Sequence, residues 1–292
     1  MVRKTRIASA MAALGASIVM AISAVPPTKA GLASSQPTEN RRIIAIDPGH
    51  GGREPGSVYR GASGRVELVE KDVNLWIALF LADGLREAGY QPILTRSTDS
   101  SVNEPPVDRN GDGRIDVDDD LQARVDIANE AGASLLLSIH NNGSTNPRTR
   151  GTSTWYSAAH PRGSEGRILA ELVQAELLAG LRAAGYENPV DQGANDDPPL
   201  QKPYGHLFLV GPQTPRVARV SQMAGVIGES LYVTSEVESR LLATEEVQRA
   251  IAASYQRAVE QYFARLSGNR SQSPSEAMPS PTGGLGRQPM EF

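Results

Sequence analysis

Apolar residues recur along the chain in two rhythms. Short branched runs bounded by turn residues, such as Ile43-Ile44-Ala45-Ile46 and Leu135-Leu136-Leu137-Ser138-Ile139, have the length and composition of buried strands. Between them lie longer stretches with helical spacing and cap residues. The pattern predicts a strand over 42–47, then a helix from Glu70 to Ala88 capped by Gly89, then a strand from Tyr90 to Arg96. A long acidic loop follows, then a helix from Leu121 to Ala131 closed by Gly132 and strands at 134–139 and 152–157. A helix from Ser164 to Ala184, strands at 206–210 and 223–229 and a helix over 245–265 complete the series. Strands alternating with helices predict one α/β domain, a mixed, mostly parallel twisted sheet with helices on both faces. No internal repeat is evident.

The ends of the chain follow other patterns. Arg3, Lys4 and Arg6 precede an apolar stretch from Ile7 to Val25 and then Thr28-Lys29-Ala30-Gly31, which reads as a secretory signal peptide over residues 1–30. An uncleaved anchor is the alternative, because the stretch approaches spanning length. Its Ala, Ser and Gly content, in place of Leu, favours cleavage. Residues 31–40 read as a linker, 41–266 as the folded domain, and 267–292, rich in Ser, Pro, Gly and Gln, as a disordered tail. The mature protein is expected in the periplasm or at the cell wall outside the cell, without an integral membrane span.

Composition narrows the chemistry. The chain has no cysteine, so an exported form has no disulfides and any metal must be held by histidines and carboxylates. Loss of residues 1–30 removes four positive charges and moves the formal net charge from −4 to −8. That balance is a poor match to nucleic acid, which needs a basic patch.

Two of the four histidines stand at the C-terminal ends of apolar runs: His50 in Asp47-Pro48-Gly49-His50-Gly51-Gly52, and His140 in Ser138-Ile139-His140-Asn141-Asn142. In open α/β sheets ligands gather beyond the carboxyl ends of the strands. A third apolar run, Met223 to Gly228, ends in Glu229. A catalytic zinc typically takes three ligands from His and Glu and leaves a fourth position for water. His50 and His140 supply two, and either Glu70 or Glu67 the third. Of the other histidines, His160 is expected in an exposed loop, and His206 in a structural role or lining the groove.

These motifs, together with Glu70-Lys71-Asp72-Val73-Asn74-Leu75, Thr95-Arg96-Ser97-Thr98-Asp99 and Arg124-Val125-Asp126-Ile127-Ala128-Asn129, resemble the zinc-dependent N-acetylmuramoyl-L-alanine amidases that cut bacterial peptidoglycan. The resemblance covers about residues 42 to 264 and implies zinc on His50, Glu70 and His140, with Glu229 as the catalytic glutamate. By that likeness the zinc polarises the scissile carbonyl and supplies hydroxide, while Glu229 serves as base and then acid. Asn141 and Asn142 either contact substrate or form a turn. Asp47 either orients a ligand histidine or serves the turn before Pro48. The chain departs from the family after Glu229, where Ser230-Leu231-Tyr232-Val233-Thr234-Ser235 replaces a Gly-aromatic-Leu-Ser-Asn stretch. It also has Leu209-Val210-Gly211-Pro212 where the family often carries an arginine. Both changes bear on substrate contacts. The inhibitory helical insertion of some cell-division members is not evident, and nothing identifies a protein activator.

An acidic insertion over 100–120 has no counterpart in the resemblance. Within it, Asp108, Asn110, Asp112, Asp116 and Asp119 fall at positions 1, 3, 5, 9 and 12 of a calcium-loop pattern, with the Arg114 carbonyl at 7 and Gly113 at 6. From Asp99 to Asp120 eight acids face two arginines, an excess expected to repel itself without a cation. The alternative is a solvated loop whose Asp118 to Asp120 cap the next helix. Three functions compete overall: a peptidoglycan amidase, a zinc exopeptidase-like hydrolase, and a wall-binding or regulatory module. The joint presence of His50, Glu70, His140 and Glu229 argues against the last.

Overall fold

A computed structural model describes residues 41–200 and 202–271. The expected signal peptide and linker lie outside the described residues, as does the tail from 272 onward. In chain order the elements are β1 (Ile43–Pro48), β2 (Val58–Arg60), β3 (Val66–Val69), α1 (Glu70–Glu87), β4 (Gln91–Leu94), α2 (Val117–Glu130) and β5 (Leu135–Asn142). There follow β6 (Thr152–Tyr156), α3 (Gly163–Ala183), β7 (Asp191–Asp196), β8 (Ala224–Tyr232), α4 (Glu236–Leu242) and α5 (Glu245–Ser271).

Six strands form one sheet in the order β4-β1-β5-β8-β6-β7, and β2 pairs with β3 in a separate hairpin. β4, β1, β5 and β8 run parallel, and β6 is antiparallel to β8. The sheet is therefore mixed and mostly parallel, as expected. Alternate residues point to opposite faces. Ile44 and Ile46 of β1 and Leu135, Leu137 and Ile139 of β5 join the core beneath α1, α3 and α5. Ala45, Leu136 and Ile227 join a smaller core with Val125 and Ala128 of α2 and with Phe208 to Val210.

The helices form where their apolar faces and caps require. In α1 the buried positions Val73, Ile77, Ala78, Leu81, Ala82 and Leu85 trace one face. Gly89 and Gly132 take φ of 88° and 64° just past α1 and α2. The left-handed turn lets Tyr90 N–H reach the Leu85 carbonyl and Ala133 N–H reach that of Ala128. Among the described residues no helix is long and apolar enough to cross a membrane.

Several boundaries differ from the sequence pattern. Residues 206–210 are not a strand: Phe208, Leu209 and Val210 are buried in turns over the smaller core. A short apolar run signals burial without specifying backbone form. The edge strand β7, Asp-Gln-Gly-Ala-Asn-Asp, has no apolar alternation and is held through polar contacts such as Gln174 Nε2 to Asp191 Oδ1 at 2.6 Å. α2 begins at Val117, inside the expected insertion, because Asp116 and Asp119 form a reciprocal capping box. α5 continues to Ser271, past the expected boundary at 266. His160 is buried, not exposed: its Nε2 lies 2.9 Å from the Ser221 carbonyl, and its Nδ1 accepts from Arg162 N–H.

Candidate metal centre

The site forms at the C-terminal ends of β1, β5 and β8. His140 on β5 stands opposite Glu229 on β8, so the alternation of the sheet sends both side chains to the α2 face. His50 follows β1 in a tight reversal and itself takes φ of 61°, a strained region for a residue with a Cβ and one met at functional sites. Glu70 is the first residue of α1, which the β2–β3 hairpin returns to the sheet edge. Glu67 sits exposed on β3, away from the histidines.

His50 Nε2 and His140 Nδ1 lie 3.0 and 3.1 Å from the same oxygen, Glu70 Oε1. The two rings stand edge to face with centroids 4.8 Å apart. Among the described residues only His50, Glu70 and His140 bring three His or acidic donors together in this way, with ligand atoms all within 4.8 Å of one another. Glu70 is buried, and its carboxylate is aimed by Ser57 N–H at 2.7 Å, Asn141 N–H at 3.2 Å and Asn74 Nδ2 at 3.3 Å.

Burial opposes charge on Glu70, yet the two imidazoles hold its carboxyl well below the ordinary range. Burial also disfavours a charged His50, but the Glu54 and Glu70 carboxylates push it up to about 10. The cluster thus calls for positive charge at its centre. Glu229 Oε2 is buried without a hydrogen-bond partner, while His50 Nδ1 lies 3.3 Å from Glu54 Oε1. A nitrogen, nitrogen and oxygen donor set with an orphaned carboxylate oxygen beside it fits a divalent metal such as zinc.

Glu229 shares a cavity of about 420 Å³ with the three donors, Ser57, Asn142, Trp155 and Lys202. Burial lifts its carboxyl to about 7; Glu70 adds to the rise, while His140, His50 and Lys202 oppose it.

The surrounding motif residues brace the site. Asp47 is buried and accepts from Thr95 Oγ1 at 2.6 Å, Ser138 Oγ at 2.7 Å and Arg124 Nη1 at 2.8 Å. Arg124 in turn donates to the His50 carbonyl at 2.8 Å, so Asp47 acts on His50 through Arg124 and not by touching its ring. Arg96 holds the Pro48, Gly49 and Lys71 carbonyls at 2.8 to 3.0 Å. Asn141 Nδ2 donates to Asn74 Oδ1, while Asn142 accepts from Gly143 N–H in a turn. His206 pairs with Asp197 at 3.1 Å and lines an adjoining cavity. Asn74 falls within the motif that begins at Glu70, but the sequence carried no sign of the parts played by Ser57, Trp155 and Lys202, which are isolated residues far apart along the chain.

The acidic loop supplies none of the three donors. Asp108 accepts from the amides of Gly111 and Gly113, Asn110 from Asp112, and Asp112 from Arg114. Asp119 is fully buried and takes the amides of Arg109, Asn110 and Asp116. The expected self-repulsion is relieved by cations from outside the segment: Lys71 pairs with Asp99, Arg124 with Asp120 and Arg216 with Asp118.

Comparison with known proteins places this geometry in context. Residues 44–261 match the family model described as N-acetylmuramoyl-L-alanine amidase. The chain is 28% identical over 245 residues to the N-acetylmuramoyl-L-alanine amidase AmiA of Escherichia coli, covering 76% of each protein. It is 28% identical over 222 residues to the germination-specific N-acetylmuramoyl-L-alanine amidase of Bacillus subtilis, covering 76% of this chain and 80% of that one. Its fold resembles the solved structure of the amidase AmiC2 of Nostoc punctiforme with a TM-score of 0.56 and 28% identity, over 77% of this chain and 98% of the other.

Proposed function

Because this chain belongs to the N-acetylmuramoyl-L-alanine amidase family, we propose that it is an exported hydrolase using zinc held by His50, Glu70 and His140. It cuts the amide between the lactyl group of N-acetylmuramic acid and L-alanine in peptidoglycan. The observation that carries this reading is the convergence of the three donors on one point in a cavity shared with Glu229. When bound there, zinc supplies Lewis acidity, polarising the amide carbonyl and acidifying water at neutral pH.

The chain's own groups do the rest. Glu229 takes the proton of the attacking water and delivers it to the departing alanine nitrogen, and a carboxyl lifted toward 7 is suited to both transfers. Arg124 and Arg96 hold the backbone that carries His50, while Asn74 and Ser57 aim Glu70. The loop over 108–119 is proposed as a calcium site on Asp108, Asn110, Asp112, the Arg114 carbonyl, Asp116 and Asp119, supported by the position-by-position fit of its oxygens.

Mass spectrometry of digested peptidoglycan is the direct test. The expected products are glycan with a free lactyl carboxyl and peptides with a free alanine amine; cleavage within the peptide would establish the exopeptidase reading instead. Chelation should abolish activity and zinc restore it, and His140→Ala should lose most bound zinc. Glu229→Gln should keep zinc and lose at least about two orders of magnitude in turnover. Near-normal turnover would move the proton transfers to another group.

A further inference from the structure

The cavity with Glu229 adjoins a second one of about 310 Å³, and the two share His50, His140, Lys202, Leu207 and Ile227 in their walls. Lys202 is the one lysine or arginine lining the first of them. Its side chain is exposed, and it makes no ion pair with a described carboxylate within 4.0 Å. Of the acids nearby, Asp47 is engaged with Arg124, and Glu54 and Glu70 with the histidines; Glu229 shares the cavity and feels the charge of Lys202 without forming an ion pair with it.

The segment that carries Lys202 is stapled at its base. Asp197, fully buried, lies 3.1 Å from His206 Nδ1 and accepts from Leu207 N–H at 2.8 Å. Its own carbonyl accepts from Leu200 N–H, and the Lys202 carbonyl accepts from Gly205 N–H. A pair between buried Asp197 and partly exposed His206 thus closes a short loop whose exposed stretch bears the Lys202 ammonium beside the site.

We propose that Lys202 is a specificity residue that binds a carboxylate on the peptide side of the scissile amide, with Asp197 as the residue that positions it. This rests on the amidase reading given above. In that substrate the lactyl carboxyl of the sugar is consumed in the amide, so negative charge close to the scissile bond comes from the peptide. A cation lining both cavities is placed to meet it. The wall beyond Lys202, with Leu121, Phe208 and Ile227, offers apolar surface for the peptide's side chains.

The test uses the zinc-loaded full chain and two N-acetylmuramoyl dipeptides that differ only in whether the carboxyls of the second residue are free or amidated. The free form should be preferred in kcat/KM by about fivefold, the scale of an exposed ion pair. The preference should reside in KM and fade at high salt. Lys202→Met and Asp197→Ala should bring the ratio of the two substrates close to one, and Lys202→Arg should keep it. Because the ratio is compared within each variant, general damage cancels. An unchanged ratio in Lys202→Met overturns the proposal. So does an equal loss on both substrates, which would assign Lys202 to Glu229 instead. If the wild type cleaves neither compound, the amidase reading has failed separately. Calorimetric affinities for the same two compounds, in wild type and Lys202→Met, then decide whether Lys202 binds the carboxylate.

Discussion

Gly49 determines where His140 can stand. A Cβ at this position would lie 2.1 Å from His140 Nε2, so the ring occupies the space a side chain would need. Gly49→Ala should push the imidazole off the shared Glu70 oxygen. The expected result is zinc occupancy and activity reduced by about tenfold or more, with the far-ultraviolet dichroism unchanged; metal analysis of the purified variant checks it. Gly56 is constrained in the same way, with φ of 67° and a Cβ position 2.5 Å from Glu70 Oε2. The histidines and Glu70 stood out as chemistry-bearing types in ordered motifs. The glycines that make room for them did not, because close approach is a property of two chain segments at once.

At the scale of elements, the junction between the acidic loop and α2 shows the helix cap, and the proposed calcium site would use the same residues. Asp116 and Asp119 cap the helix reciprocally, and the same residues are positions 9 and 12 of the calcium pattern. Without calcium, Asp116→Ala should destabilise the protein by about 1 kcal/mol through loss of the cap, read as a lower urea midpoint at unchanged slope. Calcium at millimolar concentration should raise the melting temperature by mass action, and Asp112→Ala should erase that rise while leaving zinc in place. No calorimetric heat and no shift would leave the loop as a helix cap whose charges are met by Lys71, Arg124 and Arg216.

Across the whole molecule, stability should depend on pH through Glu229. In the metal-free protein burial holds its carboxyl at about 7, against 4.5 in an open chain. The folded state therefore keeps this proton while the unfolded state releases it. Stability attached to the group is fully present below about 4.5 and is lost as pH rises to about 7. At about 1.4 kcal/mol per unit, the loss is on the order of 3 kcal/mol. Glu229→Gln should remove this fall, making the metal-free variant more stable than the parent at pH 8 and similar to it at pH 4. Urea unfolding at the two values checks it, and equal differences at both would remove Glu229 as the source. Zinc should reduce the effect, because a nearby cation favours the ionised carboxyl.

Local pattern was enough to establish the α/β class, the parallel core strands and the two strand-end histidines. Strand length, branched composition and helix caps act over a few residues, and the Schellman turns at Gly89 and Gly132 fall where the sequence placed them. Ordered motifs further implied Glu70 and Glu229. Tertiary structure alone decided the rest. Edge strand β7 is polar and depends on neighbours for its form, and the apolar run at 208–210 is buried without being a strand. The bracing chain from Asp47 through Arg124 to the His50 carbonyl spans 77 positions. Lys202 lines the cavity from a loop whose ends are joined by buried Asp197 and partly exposed His206. Local propensities are written residue by residue, whereas burial, hydrogen-bond completion and the meeting of charges from distant segments exist only once the chain has closed on itself.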